Sequence, residues 1–133
     1  AGAAEVAVVT RRSEQAKRAA RLADSGLRVG TVADVAGAEL VVNATPVADE
    51  LPLGLDPADL GAGQLVVDLI YEPAVTALLA AGQARGASVA NGVGMLIHQA
   101  ALSFGRWTGE AAPIEAMLDA VAGHLAAGTV VVS

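Results

Sequence analysis

The run Gln64–Ile70 reads QLVVDLI and is the strongest indication of fold in this 133-residue chain. It is short, continuous and rich in branched aliphatic side chains, which is typical of a strand buried on both faces of a parallel sheet. Similar runs lie at Glu5–Thr10, Glu39–Asn43 and Ala87–Ala90, and a weaker one at Arg28–Val32. The chain is therefore predicted to supply five short strands.

Helical patterns separate these runs. The predicted helices span Ser13–Asp24, Glu72–Gly82, Val93–Trp107 and Pro113–Leu125. The second is expected to begin at Pro73, because proline is tolerated in a first turn. Strands that alternate with helices of this length indicate βαβ units. The predicted fold class is α/β, a doubly wound parallel sheet with helices at its C-terminal end.

Composition narrows the function classes. A chain with 54% hydrophobic and 17% charged residues is not disordered. Its net charge of −6 argues against nucleic-acid or anionic-membrane binding, and no apolar run is long enough to span a membrane. Without cysteine, and with His98 and His124 each isolated from other ligand types, no metal site is predicted. The long connection 46–63 is expected to be functional or mobile.

Unusual polar residues follow the carboxyl ends of four strands, which is where ligands bind in doubly wound sheets. They are Thr10, Arg11 and Arg12, then Asn43 and Thr45, then Tyr71, and finally the stretch 91–94. This placement predicts one ligand cleft along the edge.

Each of these residues has a functional and a structural interpretation. Arg11 and Arg12 suit a phosphate at a helix N-terminus, or form a solvated basic turn. Asn43 and Thr45 fix a loop against a nicotinamide ribose, or close an Asx or ST turn. The Tyr71 hydroxyl reaches a polar substrate, or makes an ordinary hydrogen bond at a partly buried position.

The stretch Asn91–Gln99 (NGVGMLIHQ) places two glycines at a strand-to-helix junction. Glycine permits positive φ and close approach of the backbone to a ligand. Met95 and Gln99 share a face of the following helix. A carboxamide there suits a hydroxyl-rich substrate, and a solvent-facing glutamine is the alternative.

Three runs carry a family resemblance. They are NATP (Asn43–Pro46), VVDLIYEPAVTALLAAGQARGASVANG (Val66–Gly92) and GMLIHQAALSFGRWTG (Gly94–Gly109), followed by Pro113 and Met117. Together they resemble the C-terminal half of the shikimate dehydrogenase family, over nearly the whole chain up to about residue 120. The resemblance implies an NADP-binding Rossmann-like domain over residues 1–109 and a C-terminal helix and tail over 110–133. It also implies reversible reduction of 3-dehydroshikimate to shikimate.

The resemblance also implies roles for individual residues. Arg11 matches the family's Asn-Arg-Thr around the adenosine 2′-phosphate, whereas Thr10 and Arg12 depart from it. The resemblance also places Leu69, Gly92 and Met95 at the cofactor, and Tyr71 and Gln99 at shikimate. Asn43 and Thr45 are further cofactor candidates because of their place at a strand end.

Other family elements lie outside this chain. The family's catalytic Lys and Asp belong to a preceding substrate domain, so no catalytic residue is assigned and the chain alone is expected to be inactive. The Gly-rich turn and the first strand are also missing. Because that strand is central in a 3-2-1-4-5-6 sheet, the sheet is expected to split between Glu5–Thr10 and Glu39–Asn43.

We therefore expect part of a longer, cytoplasmic enzyme. The alternatives are a non-catalytic dinucleotide-binding or assembly module and a quinate-preferring relative. The β-branched tail Gly128–Ser133 has two interpretations: it pairs with an open sheet edge, in its own chain or in a homodimer, or it is a frayed terminus.

Overall fold

The described part of the chain alternates strands and helices, as predicted. A computed structural model describes residues 3–21 and 26–125. The strands are β1 (Val6–Val8), β2 (Leu27–Val29), β3 (Leu40–Asn43), β4 (Leu65–Asp68) and β5 (Ser88–Ala90). The α-helices are α1 (Ser13–Ala20), α2 (Ala77–Ala84), α3 (Val93–Thr108) and α4 (Ile114–Leu125). Short 3₁₀ turns lie at Val32–Gly37, Pro52–Gly54 and Pro57–Asp59.

The strands form two separate parallel sheets among these residues. One sheet is β1–β2 and the other is β3–β4–β5. The predicted α/β class is confirmed. The predicted split of the sheet between the runs Glu5–Thr10 (β1) and Glu39–Asn43 (β3) is also confirmed. Leu40 and Val42, which point to the same face of β3, are about half exposed. Among the described residues this strand pairs with β4 only.

The core lies between the larger sheet and α2. Val66 on β4 packs with Leu78 and Leu79, and all three are almost completely buried. The connection 46–63 supplies Leu55 and Leu60 to the same cluster. Two residues of the connection are thus part of the core, and the expectation that the connection is functional or mobile stays a prediction.

The helix predicted from Pro73 begins four residues later, so that boundary was wrong. Thr76 is the N-cap of α2, and its hydroxyl accepts a hydrogen bond from the Leu79 amide at 3.4 Å. The first residue of the helix is also held from outside, since Ala77 N donates to Ala48 O at 2.8 Å. Tertiary hydrogen bonds therefore decided where this helix starts.

Two predictions fall partly or wholly outside the described residues. The predicted end of the first helix lies in 22–25, and the tail strand Gly128–Ser133 lies beyond residue 125. None of the described helices has the length and apolarity needed to cross a membrane.

Arg28 joins the strands of the smaller sheet to the turn that follows them. Its guanidinium contacts Glu5 at 3.0 Å and donates to Asp34 at 2.7 Å. Asp34 also accepts from the Thr31 amide at 2.6 Å, which completes a capping box. The hydrogen bonds from Arg28, and then from the Thr31 amide, hold the pKa of Asp34 well below its usual range.

This geometry predicts a pH-dependent contribution to stability. A carboxyl whose pKa falls on folding stabilises the protein above its unfolded value, about 3.9, and loses that effect as the pH drops through the folded value. Asp34→Asn should therefore lower the thermal midpoint at pH 7, and the difference from the parent protein should shrink below about pH 4. A difference that is constant across the titration would contradict this assignment.

Candidate functional site

A buried carboxylate organises the carboxyl edge of the larger sheet. Asp68, the last residue of β4, is 0% exposed. Asn43 Nδ2, from the paired position on β3, donates to both carboxylate oxygens at 3.1 Å. Thr76 Oγ1 donates to Oδ2 at 2.7 Å, and the Ile70 amide donates to Oδ1 at 3.0 Å. Two strands and the cap of α2 thus meet at one side chain.

The loop after β3 is shaped by the other end of Asn43. Its Oδ1 accepts from the Thr45 amide at 3.0 Å and from the Thr45 hydroxyl at 2.8 Å. The Val47 amide in turn donates to Thr45 Oγ1 at 3.4 Å. These are the Asx and ST turns considered above. Asn43 is buried, so its effect on a ligand would pass through the loop.

The loop after β4 rests against the start of α3. Gly92 N donates to Ile70 O at 3.0 Å, and a Cβ added at Gly92 would overlap the carbonyl oxygen of Leu69. Gly92 has φ −73, so it serves close approach of backbone to backbone and not positive φ. The neighbouring Asn91 accepts from the Val93 amide at 3.2 Å and thereby helps to begin α3.

Three of the predicted contact residues are solvent-exposed near this edge. Tyr71 and Met95 are each 47% exposed, and Gln99 is exposed one helical turn beyond Met95. Gln99 also lines a groove of about 390 Å³ between α3 and α4, with Trp107 and Met117. These side chains are available to a ligand or a covering domain.

The basic turn lies at the end of β1, in the smaller sheet. Arg12 is the N-cap residue of α1 and makes no side-chain capping bond, while Thr10 Oγ1 donates to Arg12 O at 2.7 Å. Both Arg11 and Arg12 are exposed, and neither forms an ion pair with another described residue. Two guanidinium groups are therefore presented beside a helix N-terminus, an arrangement that suits a phosphate.

The structure brings some predicted residues together and separates others. Asn43, Thr45, Leu69 and Gly92 lie along the carboxyl edge of the β3–β4–β5 sheet, and Thr10–Arg12 lie at the end of the other sheet. Sequence reasoning missed Asp68 and Thr76. A carboxyl inside the apolar run QLVVDLI was the available signal, because a buried charge requires partners. Over residues 3–21 and 26–125 no group of three His, Asp or Glu residues is arranged to hold a metal ion.

Fold and site together define a class of protein: parallel α/β proteins that bind ligands at the carboxyl ends of their strands. A family model for the shikimate 5'-dehydrogenase C-terminal domain matches residues 92–122. Shikimate dehydrogenase (NADP(+)) of Methanopyrus kandleri is 38% identical over 141 residues, which cover 93% of this chain and 48% of that protein. The chain spans about half the length of the curated relatives it matches.

Solved structures agree with this match. Shikimate 5-dehydrogenase of Thermus thermophilus, in complex with shikimate, is 34% identical with a TM-score of 0.79, over 92% of this chain and 46% of that one. Quinate dehydrogenase of Corynebacterium glutamicum, in complex with NAD, is 27% identical with a TM-score of 0.82, over 92% and 47%. Over 93% of its length the chain is thus similar to a C-terminal portion of the shikimate dehydrogenases.

The tight contact at Gly92 yields a prediction. Gly92→Ala should lower the free energy of unfolding by about 1–3 kcal/mol, because the new methyl group overlaps backbone that cannot move freely. Gly94→Ala is the matched control: it meets no atom within 4 Å, and alanine favours helix, so stability should stay equal or rise. Urea unfolding measures both, and equal losses at the two glycines would contradict the prediction.

Proposed function

We propose that this chain is the NADP-binding and C-terminal part of an NADP-dependent shikimate dehydrogenase. The observation that carries the proposal is the relative named for that activity, which is 38% identical across 93% of the chain. The exposed arginines beside α1 and the exposed Tyr71 and Gln99 are compatible with it. The proposed division is an NADP-binding domain over residues 1–109 and a C-terminal helix and tail over 110–133.

The residues of the chain fit the cofactor at two places. Arg11 and Arg12 would hold the 2′-phosphate, since guanidinium groups offer paired donors to phosphate oxygens. Leu69, Gly92 and Met95 would line the nicotinamide end, where the backbone of the first two is already in close contact. NADP, when bound, supplies or accepts the hydride in this chemistry.

In this proposal Tyr71 and Gln99 orient the substrate. A phenol and a carboxamide each donate and accept hydrogen bonds, which suits the hydroxyl groups of shikimate. A proton donor at the carbonyl is required for turnover, and the resemblance places the family's Lys and Asp outside this chain. The complete catalytic unit in this proposal includes a substrate domain, and this chain alone is inactive.

The compartment and the assembly also belong to the proposal. We propose a cytoplasmic enzyme, as the family resemblance implies. A homodimer would form if the apolar edges of the split sheet exchange strands between copies, which is an easy route to dimers.

A second candidate function is that of a quinate-preferring enzyme, and its support is structural similarity to a quinate dehydrogenase. The quinate dehydrogenase of Corynebacterium glutamicum, in complex with NAD, has a TM-score of 0.82. The two candidates differ in cofactor and substrate, so the parent protein should be assayed with NADP and NAD, and with shikimate and quinate. Preference for NAD and quinate would replace the proposed function.

Cofactor selection is tested at Arg11. In the full-length protein that contains this chain, Arg11→Ala should weaken NADP binding by about 1.5–3 kcal/mol and leave NAD binding nearly unchanged, because only NADP carries the 2′-phosphate. Titration of each dinucleotide gives the dissociation constants. Arg18→Ala, which removes an exposed positive charge further along α1, is the control and should affect both cofactors little. Equal losses for NADP and NAD at Arg11 would refute the assignment.

Substrate binding is tested at Tyr71 and Gln99. Tyr71→Phe and Gln99→Ala should each reduce kcat/KM for shikimate by the equivalent of about 1 kcal/mol or more, with the NADP dissociation constant unchanged. Steady-state kinetics of NADP reduction provide the measurement. Gln83→Ala, an exposed glutamine on α2, should keep parental kinetics. Loss of NADP affinity without loss of substrate turnover would move these residues to the cofactor site.

A further inference from the structure

Asp68 is the buried titratable group that the proposed function does not use. Its described partners are an amide side chain, a backbone amide and a hydroxyl, so no cation among the described residues compensates it. Burying a carboxylate is costly unless hydrogen bonds replace water. The site meets that requirement with donors alone, and no buried side-chain polar atom in the described part of the chain lacks a partner.

A carboxylate is the side chain best suited to this position. It is acceptor-only and has about four lone-pair directions, so it can receive several donors at once. The donors at Asp68 come from three different segments: Asn43 ends β3, Ile70 follows β4, and Thr76 caps α2. An apolar residue would leave these donors unpaired, and a neutral amide would turn a donor toward one of them.

Two of these donors control loops that carry candidate ligand contacts. Asn43, which is held by Asp68, in turn fixes Thr45: its Oδ1 accepts from the Thr45 amide at 3.0 Å and from the Thr45 hydroxyl at 2.8 Å. Ile70 is held between Asp68 at its amide and Gly92 at its carbonyl, and it lies between Leu69 and Tyr71 in the chain. The distance between the two loops is therefore set through a single carboxylate.

We propose that Asp68 is a positioning residue for the reaction: it sets the placement of the Thr45 loop relative to the Leu69–Tyr71 loop. This role rests on the proposed function, because the two loops carry candidate cofactor and substrate contacts. Small displacements of reacting groups reduce rates strongly. Asp68 itself acts only through the loops, since it is fully buried.

The same strand provides a matched control at its other end. Gln64 immediately precedes β4 and is also buried; it donates to Val35 O at 2.8 Å and Ala38 O at 3.1 Å, and accepts from Gly61 N at 2.8 Å. It joins segments at the amino edge of the sheet, away from the candidate contacts. Gln64→Met removes a comparable set of buried hydrogen bonds at similar volume.

The experiment compares Asp68→Asn, Gln64→Met and the reversed pair Asn43→Asp/Asp68→Asn in the full-length protein. Thermal midpoints, amide hydrogen exchange at Thr45 and Ile70, NADP dissociation constants and kcat/KM for shikimate are measured well below each midpoint. Asp68→Asn should lower kcat/KM about tenfold or more and raise exchange at both amides, with NADP affinity changed less than about threefold. Gln64→Met should lower the midpoint but keep kcat/KM within about twofold of the parent protein.

The reversed pair restores one donor–acceptor contact between positions 43 and 68, so it should recover most of kcat/KM. If Asp68→Asn alone does not fold, kcat/KM of the reversed pair tests the positioning role instead. Recovery supports the proposal, whereas a folded reversed pair with the low kcat/KM overturns it. The proposal also fails if Asp68→Asn and Gln64→Met lose stability equally and both keep parental kcat/KM. If the parent protein neither binds NADP nor oxidises shikimate, the proposed function is refuted. If amide exchange at Thr45 and Ile70 is unchanged in Asp68→Asn, the positioning role of Asp68 is refuted.

Discussion

The hydrogen bonds from Asn43 to Asp68 join β3 and β4 at their last paired residues, and much of the molecule depends on them. They close the carboxyl end of the larger sheet, and the same carboxylate holds the cap of α2 through Thr76. Bonds in this buried environment are strengthened by the low local dielectric, and the same environment penalises any member left unpaired. One hydrogen-bond network therefore stabilises both the fold and the carboxyl edge of the sheet where the candidate ligand contacts lie. A substitution in this network is expected to affect both.

The split sheet shows a second constraint. β1–β2 and β3–β4–β5 are each parallel, with α1 packed on the first sheet and α2 on the second, yet β1 and β3 do not pair with one another. Leu40 and Val42 of β3 remain about half exposed, whereas Val41 on the opposite face packs against the core. A parallel sheet normally covers such side chains on both faces and along its length. No strand among the described residues lies between β1 and β3, so the strand order agrees with two separate parts of a Rossmann-type sheet.

The two sheets also separate the candidate functions in space. The basic turn with Arg11 and Arg12 belongs to the smaller sheet, and the network around Asp68 belongs to the larger one. In the proposed enzyme the first would recognise the distinguishing phosphate of the cofactor, and the second would place the reacting end beside the substrate. The separation explains why a change at Asp68 is expected to affect turnover more than NADP affinity.

By itself the sequence determined the α/β class, the five strands, most helix bounds, and the placement of polar residues at the strand ends, because these depend on local periodicity and on strand direction. The family motifs from Asn43 to Gly109 likewise need no coordinates. Only the tertiary structure decided that α2 begins at Ala77, that Leu55 and Leu60 join the core, and that Gly92 serves contact with Leu69. It also assigned Asp68 its partners. These features depend on contacts between residues far apart in the chain, and local pattern carries no information about which buried donor meets which acceptor.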